Sequence, residues 1–344
     1  LARPRLIGIS GTDGKTTTVT LLSAICGHFG TAVACGNNGV PVMEVAAELD
    51  RADFAVTEVS SFMLEETQRL RFDASVILNI AQDHVDRYAD LEEYHRTKLR
   101  ILRHCRNTDV FVRNVDDPKL RDVLPPAGRV RDFGLDTGFF GRRDDTYIMG
   151  KCRLPLTQCR LWGRQFIPDV LAALAVADEL GLDPEPVLET VRTFPGVPHR
   201  FQIAGETGGV RWIDDSKATS VQAVAAAVAS CPKLETVIIL GGREKFLDFT
   251  PLREALAGLA GVICYGEAGE RIRGQLGRKD ALYVFAFHEA VRLACAIVPS
   301  PGVLLLSPGC TSWDQFESYE VRGRVFAEEA ELALKRRFGP GVRP

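Results

Sequence analysis

The sequence has 344 residues, of which 46% are hydrophobic, so the chain can bury a sizeable core and form about two domains. Its net charge is −3 at pH 7, which provides no basic field for nucleic acid or an anionic membrane surface. No apolar run approaches the roughly 20 residues of a membrane-spanning helix. The nine cysteines form no C-x-x-C pair, which is typical of reduced thiols. We expect a cytoplasmic protein that binds small molecules, with no nucleic-acid partner and no membrane insertion.

Short apolar runs alternate with helical patterns in the first half of the chain, and this alternation predicts parallel strands joined by crossover helices. The predicted strands are residues 6–10, 31–35, 54–59, 74–80 and 109–113. The predicted helices lie near residues 16–29, 91–105 and 166–180. We therefore expect an α/β domain with a mainly parallel sheet.

The stretch TFPGVPHR, near residue 195, places two prolines and a glycine after a helical segment, which indicates a hinge. A second α/β alternation follows it. Its predicted strands are residues 211–214, 236–240, 261–265 and 303–306, and its helices lie near 220–229, 251–259, 288–297 and 321–337. We divide the chain into a central domain, 1–195, and a Rossmann-like C-terminal domain, 196–344.

The segment GISGTDGKTTT, residues 8–18, connects the first predicted strand to the first predicted helix. The textual Walker pattern fails because its first glycine would fall at Ile9. Gly11 and Gly14 nevertheless permit a tight turn, Lys15 supplies positive charge, and the Thr16 hydroxyl can ligate Mg²⁺. The segment predicts a loop that binds ATP phosphates, in preference to an ordinary turn with a chance lysine.

Asp13 places a negative charge inside this loop. At about 4 Å from a phosphate, its repulsion would cost on the order of 1 to 4 kcal/mol. We expect its side-chain oxygen to keep the loop's shape by capping the turn, and its charge to be offset by a cation or a bound water.

Two further predicted strands end in residues that suit Mg²⁺. The segment EVSSF places Glu58 at a strand end with Ser60 shortly after it, and AQDHVDRY contains His84. A carboxylate facing water and a solvated capping loop are the ordinary alternatives. Lys98, in EEYHRTKLRIL, by itself indicates only a solvated helix face.

Polar segments also follow strands in the second half, namely IDDSKATS, LGGREKFLDF and LLLSPGCTSWDQFESYEVRG. Binding groups gather at such strand ends in open α/β sheets, so these segments could converge on an anionic substrate. Singly, each of their side chains could be an ordinary loop residue. The candidates are Lys217, Thr219, Lys245, Ser312 and Tyr319.

In this order, the segments resemble the Mur ligases, most closely those that add D-glutamate. The resemblance covers nearly the whole chain and rests on GTDGKTTT, GNNGVP, EVSSFMLE, LNIAQDHVDRY, YHRTKLRI, GVPHRF, WIDDSKATS, LGGREKFLDF and LLSPGCTSWDQFESYEVRG. It implies an ATP-dependent, ADP-forming amide ligase of peptidoglycan precursor synthesis. Its substrates would be UDP-N-acetylmuramoyl-L-alanine and D-glutamate, joined through an acyl phosphate, and the protein would be a monomer.

The resemblance also implies which residues bind the nucleotide. Lys15 and Thr16 would hold the ATP phosphates and Mg²⁺, and Asn37 would lie near the nucleotide. Arg200 and Asp215 match nucleotide-contacting positions at the hinge and in the last domain. The remaining loop residues of this site would be Gly11, Thr12, Asp13, Gly14 and Thr17.

The metal and substrate sites follow from the same resemblance. Glu58 and His84 match ligands of a second metal ion, and Ser60 would lie near the substrate. Lys98 matches a lysine that is carbamylated in this family: a neutral amine captures CO2 and gains an anionic oxygen pair suited to Mg²⁺. The positions around D-glutamate would be Lys217, Thr219, Lys245, Ser312 and Tyr319. The catalytic residues would be Lys15, His84, Lys98, Lys217 and Lys245.

The sequence departs from the family pattern in places. Members carry an N-terminal domain, of order 100 residues, that holds the uridine nucleotide, whereas this chain begins at the central domain. We expect either a piece of a longer protein or a different route to the substrate. Asp13 stands where asparagine is usual, and Gln165, Phe166 and Asp169 replace residues of a G-x-H-N-x-x-N pattern expected at the adenine.

Two alternatives stay open. Another ligase of the superfamily, such as a folylpolyglutamate synthetase, would share Lys15, Glu58 and His84, but should lack the DSKATS and SPGCTSWDQF combination. A non-catalytic nucleotide-binding homologue would fit the change at Phe166, but the intact Lys98 and phosphate loop oppose it.

Overall fold

The computed structural model describes residues 3–37, 39–81, 87–88, 90–135 and 142–339. The chain forms two compact units, residues 1–161 with 166–195, and residues 162–165 with 196–344. All nine cysteines are free thiols. In the described ranges, no helix has the length and apolar character needed to span a membrane.

A six-stranded parallel sheet forms the centre of the first unit, in the order β2-β3-β1-β4-β5-β6. Its strands are β1 (Arg5–Ser10), β2 (Ala32–Gly36), β3 (Phe54–Glu58), β4 (Ala74–Ile77), β5 (Val110–Asn114) and β6 (Arg129–Phe133). A parallel sheet is covered on both faces, which explains the nearly continuous apolar runs that predicted the first five strands. The sixth was missed because its sequence, RVRDF, is mostly charged.

Helices cover both faces of this sheet. They are α1 (Lys15–Gly27), α2 (Ala46–Leu49), α3 (Ser61–Glu66), α4 (Leu91–Leu99), α5 (Ile167–Glu179) and α6 (Pro184–Thr193). Successive strand side chains point to opposite faces. Accordingly, Val76 packs in the core with α1, α5 and α6, while Ile77 packs with α3 and α4. A small antiparallel sheet, β7 (Arg142–Arg143), β8 (Thr146–Met149) and β9 (Cys152–Pro155), completes the unit.

The second unit has another six-stranded sheet, in the order β10-β11-β15-β12-β13-β14. Its strands are β10 (Gln202–Thr207), β11 (Val210–Asp214), β12 (Thr236–Gly241), β13 (Gly261–Tyr265), β14 (Leu282–Val284) and β15 (Gly302–Gly309). All neighbours are parallel except β10 and β11, which form an antiparallel pair. The helices are α7 (Val221–Ala229), α8 (Leu252–Ala255), α9 (Gly266–Leu276), α10 (Phe287–Ile297) and α11 (Tyr319–Phe338). The predicted α/β class is confirmed.

Some predicted bounds were wrong for local reasons. The strand predicted at residues 74–80 ends at Ile77, because the next residues turn to hydrogen-bond the loop after β1. The helix predicted at 91–105 ends at Leu99 and continues as one 3₁₀ turn, Arg100–Leu102. The edge strands β10 and β14 and the glycine-containing helix α9 were not predicted.

Candidate functional site

Residues 11–14 form a tight loop between β1 and α1, and glycine is required in it. Gly14 has a φ of 81°, a left-handed conformation that strains other residues. An ideal Cβ on Gly14 would also lie 2.1 Å from Asp169 Oδ1, so there is no space for a side chain. Asp169, which the sequence analysis associated with the adenine, is therefore packed against this loop from α5.

Asn79 fixes the shape of the loop. Its Oδ1 accepts hydrogen bonds from the backbone N–H groups of Thr12 (3.0 Å) and Asp13 (2.8 Å), and its Nδ2 donates to the Asp13 carbonyl (3.2 Å). The Asp13 side chain is exposed. Asn79 thus performs the role that the sequence analysis gave to the Asp13 side chain. The position just after a buried strand was the signal that could have identified it.

Two lysines converge on one carbonyl oxygen of the loop. Lys15 Nζ donates to Gly11 O (2.9 Å) and Thr12 O (2.7 Å), and Lys98 Nζ donates to Gly11 O (2.8 Å). Lys98 is 1% exposed, and its ammonium lies 4.5 Å from the centre of the Tyr94 ring. The solvated helix face that the local sequence suggested for Lys98 is therefore wrong.

Glu58 lies at the end of β3 with its carboxylate held by two neutral donors. Thr16 Oγ1 donates to Oε2 (2.9 Å) and Asn37 Nδ2 donates to Oε1 (3.0 Å), and the residue is 2% exposed. A hydroxyl beside a carboxylate is an oxygen donor set that suits Mg²⁺. Within the described ranges, no three His, Cys, Asp or Glu side chains group as metal ligands. The predicted ligand His84 lies outside those ranges.

Ser60 and Thr17 have structural surroundings. Ser60 caps α3, since its Oγ accepts a hydrogen bond from Met63 N (3.2 Å). Thr17 is buried in α1. Their predicted substrate and nucleotide roles stay predictions.

Asp215 is buried directly after β11, with both oxygens engaged inside the second unit. Phe201 N donates to Oδ1 (3.0 Å) and Ser307 Oγ donates to Oδ2 (2.8 Å). Burial raises the pKa of Asp215 to about 7. These contacts fix the backbone next to Arg200, the other predicted nucleotide residue in this unit.

His199 was missed by the sequence analysis. Its Nδ1 lies 2.6 Å from Asp214 Oδ2, and this hydrogen bond raises the pKa of His199. Its carbonyl accepts from Lys217 N (3.0 Å). Helix α11 packs closely against this pair because Gly323 has no side chain; an ideal Cβ there would lie 2.3 Å from both Asp214 Oδ2 and His199 Nδ1.

Four of the five predicted amino-acid-binding residues form two pairs, each with one lysine, at the strand ends of the second unit. Lys217 Nζ lies 3.8 Å from the centre of the Tyr319 ring, a cation–π contact. Lys245 Nζ lies 3.4 Å from Thr219 O. Ser312 is buried, in the segment after β15. Their predicted roles at the amino-acid substrate stay predictions.

The loop between β1 and α1 contains two glycines, is followed by a lysine and lies beside a carboxylate. These features define the class of phosphate-loop nucleotide-binding α/β proteins. Residues 9–177 match the Mur ligase middle domain, and residues 199–310 match the Mur ligase glutamate ligase domain. The chain belongs to the Mur ligase family.

Relatives named UDP-N-acetylmuramoylalanine–D-glutamate ligase match most of the chain. The protein from Hahella chejuensis is 38% identical over 342 residues, which cover 95% of this chain and 75% of the relative. The protein from Geobacter metallireducens is 37% identical, with 98% and 76% covered. The family resemblance is confirmed.

Solved structures share the fold at low identity. MurF ligase from Thermotoga maritima in complex with ADP has a TM-score of 0.74 at 20% identity, covering 97% of this chain and 81% of that one. UDP-N-acetylmuramate-alanine ligase MurC from Thermotoga maritima has a TM-score of 0.65 at 21% identity, with 97% and 76% covered.

Proposed function

We propose that this protein is an ADP-forming ligase that joins D-glutamate to UDP-N-acetylmuramoyl-L-alanine in peptidoglycan precursor synthesis. The names of the relatives support these substrates. The observation that carries the proposal is the convergence of Lys15 and Lys98 on the Gly11 carbonyl, next to the contact between Thr16 and Glu58. Lys15 supplies positive charge, and Thr16 and Glu58 supply oxygen ligands, where a triphosphate would bind.

In the first step, an oxygen of the alanyl carboxylate attacks the γ-phosphorus of ATP. The bond from that phosphorus to the bridging oxygen breaks, and ADP leaves with the electron pair, giving an acyl phosphate. Lys15 would neutralise phosphate charge, and the backbone N–H groups at the start of α1 would hold phosphate oxygens. Phosphoryl transfer depends chiefly on such positioning and charge neutralisation.

In the second step, the amine of D-glutamate attacks the acyl carbon. The tetrahedral intermediate collapses, the bond to the phosphate oxygen breaks, and phosphate leaves with the electron pair, while the nitrogen gives up a proton to solvent as the amide forms. We infer that Lys217 and Lys245 bind the carboxylates of D-glutamate. Thr219, Ser312 and Tyr319 would orient it, since they lie on the same strand-end segments.

We infer that Mg²⁺ is held by Thr16 and Glu58, and that His84 and Lys98 serve a second metal ion. The Thr16 hydroxyl and Glu58 carboxylate already lie in hydrogen-bonding contact, which supports their sharing a cation. When bound, Mg²⁺ would neutralise charge on the phosphoryl oxygens. Asn37 would orient the Glu58 carboxylate through its hydrogen bond to Oε1.

We also infer that Lys98 is carbamylated. Because Lys15 Nζ and Lys98 Nζ both donate to Gly11 O, they lie within about 6 Å of each other. Two ammonium ions at that distance repel by about 3 kcal/mol at an effective dielectric constant of 20. Conversion of the buried Lys98 amine to an anionic carbamate removes this repulsion.

Arg200, Asp215 and Phe166 bear on how the nucleotide is bound away from its phosphates. We infer that Arg200 contacts the nucleotide and that Asp215 acts by fixing the adjacent backbone at Phe201. Phe166 is buried, and it replaces an amide side chain expected at the adenine. We further propose that residues 1–195 and 196–344 are the two functional domains. We also propose that the protein is a cytoplasmic monomer, and sedimentation analysis can check that it is monomeric.

Phosphate release by the full-length protein tests the function. The assay contains ATP, Mg²⁺ and UDP-N-acetylmuramoyl-L-alanine, with D-glutamate, L-glutamate or other amino acids added singly. We expect release to depend on D-glutamate. A second assay replaces UDP-N-acetylmuramoyl-L-alanine with a folate. Phosphate release with this folate and L-glutamate would instead support the folylpolyglutamate alternative. ATP binding without any release would support the non-catalytic alternative.

Lys98→Ala tests the carbamate, with Lys119→Ala as the control on an ordinary lysine. We expect Lys98→Ala to abolish D-glutamate-dependent release and Lys119→Ala to retain it. Protein equilibrated with ¹³C-labelled bicarbonate should show a carbamate signal in wild type and in Lys119→Ala only. Unchanged ligation by Lys98→Ala would refute the assignment.

A further inference from the structure

Arg322 is a fully buried arginine on α11 whose guanidinium makes four hydrogen bonds. Its Nε donates to Ser216 Oγ (2.9 Å), and its Nη2 donates to Ser216 O (2.7 Å) and Cys310 O (3.0 Å). Its Nη1 donates to Tyr265 OH (3.1 Å). No part of the residue is exposed. The side chain is therefore held in a single orientation by neutral acceptors.

These acceptors lie at the carboxyl ends of separate strands. Ser216 follows β11, Cys310 follows β15, and Tyr265 is the last residue of β13. The end of β12 packs there too, since an ideal Cβ on Gly242 would lie 3.1 Å from Arg322 Nη1. One guanidinium thus contacts the ends of four strands that are consecutive in the sheet, β11-β15-β12-β13.

The segments that Arg322 connects carry the residues proposed to bind D-glutamate. Ser216 directly precedes Lys217, and Cys310 lies two residues before Ser312. Ser216 Oγ, which accepts from Arg322, also donates to Tyr319 O (2.8 Å). A shift of the Arg322 guanidinium would therefore move the segments that carry Lys217, Ser312 and Tyr319.

The charge of Arg322 also bears on an anionic ligand. Buried charges usually pair with an opposite charge, because desolvation is costly. In the described part of the chain, the hydrogen-bond acceptors of Arg322 are two carbonyls and two hydroxyls, none of them ionised. Asp314 also interacts electrostatically with Arg322, but burial raises the pKa of Asp314 and it accepts no hydrogen bond from Arg322, so part of the positive potential extends to the strand ends, where D-glutamate would place two carboxylates.

We propose that Arg322 is a positioning residue for the amino-acid substrate, which it serves by fixing the segments of Lys217, Ser312 and Tyr319 and by supplying buried positive charge. This rests on the proposed function. Lysine cannot replace it, because an ammonium group has three donors at one point and cannot reach acceptors on three strands.

Steady-state kinetics of Arg322→Lys in the full-length protein test this role. We expect KM for D-glutamate to rise roughly 10- to 100-fold, as for lost hydrogen bonds to a charged group. KM for ATP should stay within about twofold, because the phosphate loop is not touched. A purely structural role would reduce the active fraction, lowering kcat without changing KM for D-glutamate.

Arg337→Lys is the matched control. Arg337 also lies on α11 and donates through Nη1 to two carbonyls, Cys295 O (2.8 Å) and Val298 O (2.7 Å), but these precede β15. We expect its KM values to match wild type. Tyr265→Phe removes only one acceptor of Arg322 and should raise KM for D-glutamate by roughly two- to fivefold.

Two results would overturn the proposal: wild-type KM for D-glutamate in Arg322→Lys, or equal increases in KM for D-glutamate and ATP. If Arg322→Lys does not fold, an unchanged KM for D-glutamate in a folded Tyr265→Phe would also overturn the proposal. If the wild type ignores D-glutamate, the proposed function is wrong. The role of Arg322 is then tested by comparing Arg322→Lys with wild type in KM for the amino acid that does support phosphate release.

Discussion

The phosphate loop of the first unit and the strand ends of the second unit are organised differently. In the loop, the residues proposed to bind ligand also hold the loop: Lys15 and Lys98 donate to its carbonyls, and Glu58 accepts from Thr16. In the second unit, Lys217 and Lys245 lie on strand-end segments, and separate buried ionisable residues, such as Asp215 and Arg322, hold those segments through their own partners.

This difference predicts how substitutions divide between binding and stability. Because Lys15 is only partly buried, water can replace its hydrogen bonds to the loop carbonyls, so they contribute little net free energy of folding; the buried Lys98 and Glu58 are exceptions in this region. Removing one partner from a buried polar network leaves the other unsatisfied and costs more. Changes in the loop should therefore alter ligand binding first, and changes under the strand ends should alter stability as well.

The largest effect should come from Lys15→Met. We expect D-glutamate-dependent phosphate release to fall by roughly 10²- to 10³-fold, as for other groups that stabilise developing charge. The free energy of unfolding, measured with urea, should change by less than about 1 kcal/mol. Lys119→Met is the control for loss of a lysine. A large loss of stability in Lys15→Met would remove the distinction between the two regions.

Asp215→Asn tests the buried layer. Because the pKa of Asp215 is raised from 3.8 to about 7 in the folded protein, its stabilising contribution is complete below pH 4 and is lost as pH rises to 7. Asparagine cannot ionise, so the variant should exceed wild type in unfolding free energy at pH 8 by roughly 2 to 4 kcal/mol.

The gain in Asp215→Asn should shrink as pH falls from 8 towards 5. Asp280→Asn is the control, because Asp280 is exposed and its pKa is lowered by Arg278, so it does not titrate in that range. Urea unfolding at several pH values provides the comparison. A constant difference between wild type and Asp215→Asn would contradict the titration of this group.

Asn79→Ala should have an intermediate effect, because three side-chain hydrogen bonds to the loop are lost. We expect the Kd for ATP, measured by calorimetry, to rise roughly 5- to 30-fold, equivalent to about 1 to 2 kcal/mol. Asn79→Asp keeps both acceptor contacts and should recover part of the affinity. Equal weakening by both variants would mean that the loop's shape is not the cause.

The smallest effect should come from Asp13→Asn. The Asp13 carboxylate is exposed, so its repulsion of phosphate is screened, and we expect ATP binding to tighten by less than about 1 kcal/mol. The gain should be larger at low Mg²⁺. Asp122→Asn, also exposed, is the control for lost negative charge. Weaker ATP binding by Asp13→Asn would show that the carboxylate contributes to the loop.

The sequence predicted the buried parallel strands well, because burial on both faces leaves apolar runs bounded by loops. It failed at the edge strands β6, which is mostly charged, and β10, in which polar residues and a glycine interrupt the apolar pattern. The helix α9 was missed because its glycines weaken the helical pattern, and packing against β12 and β13 compensates for them.

The site was predicted in part. Sequence order alone indicated Lys15 and Thr16, because a glycine loop between strand and helix has a local signature. The contacts of Asn79 and Asp169 with that loop join residues more than 60 positions apart. The position of Asn79 after a buried strand was a local signal of a site, but it does not indicate which loop the side chain contacts. No local pattern encodes the contacts of Arg322, whose setting in EVRGRVF looks like any charged helix.

The burial of Lys98 has a consequence for covalent chemistry on this protein. All nine lysines lie in the described ranges, and Lys98 is the only buried one. A reagent that acylates amines in the folded protein should therefore label every other lysine before Lys98. Mass spectrometry over the time course of labelling would make this one residue a reporter of local opening, since its acylation by a reagent much larger than CO2 requires α4 to separate from the phosphate loop.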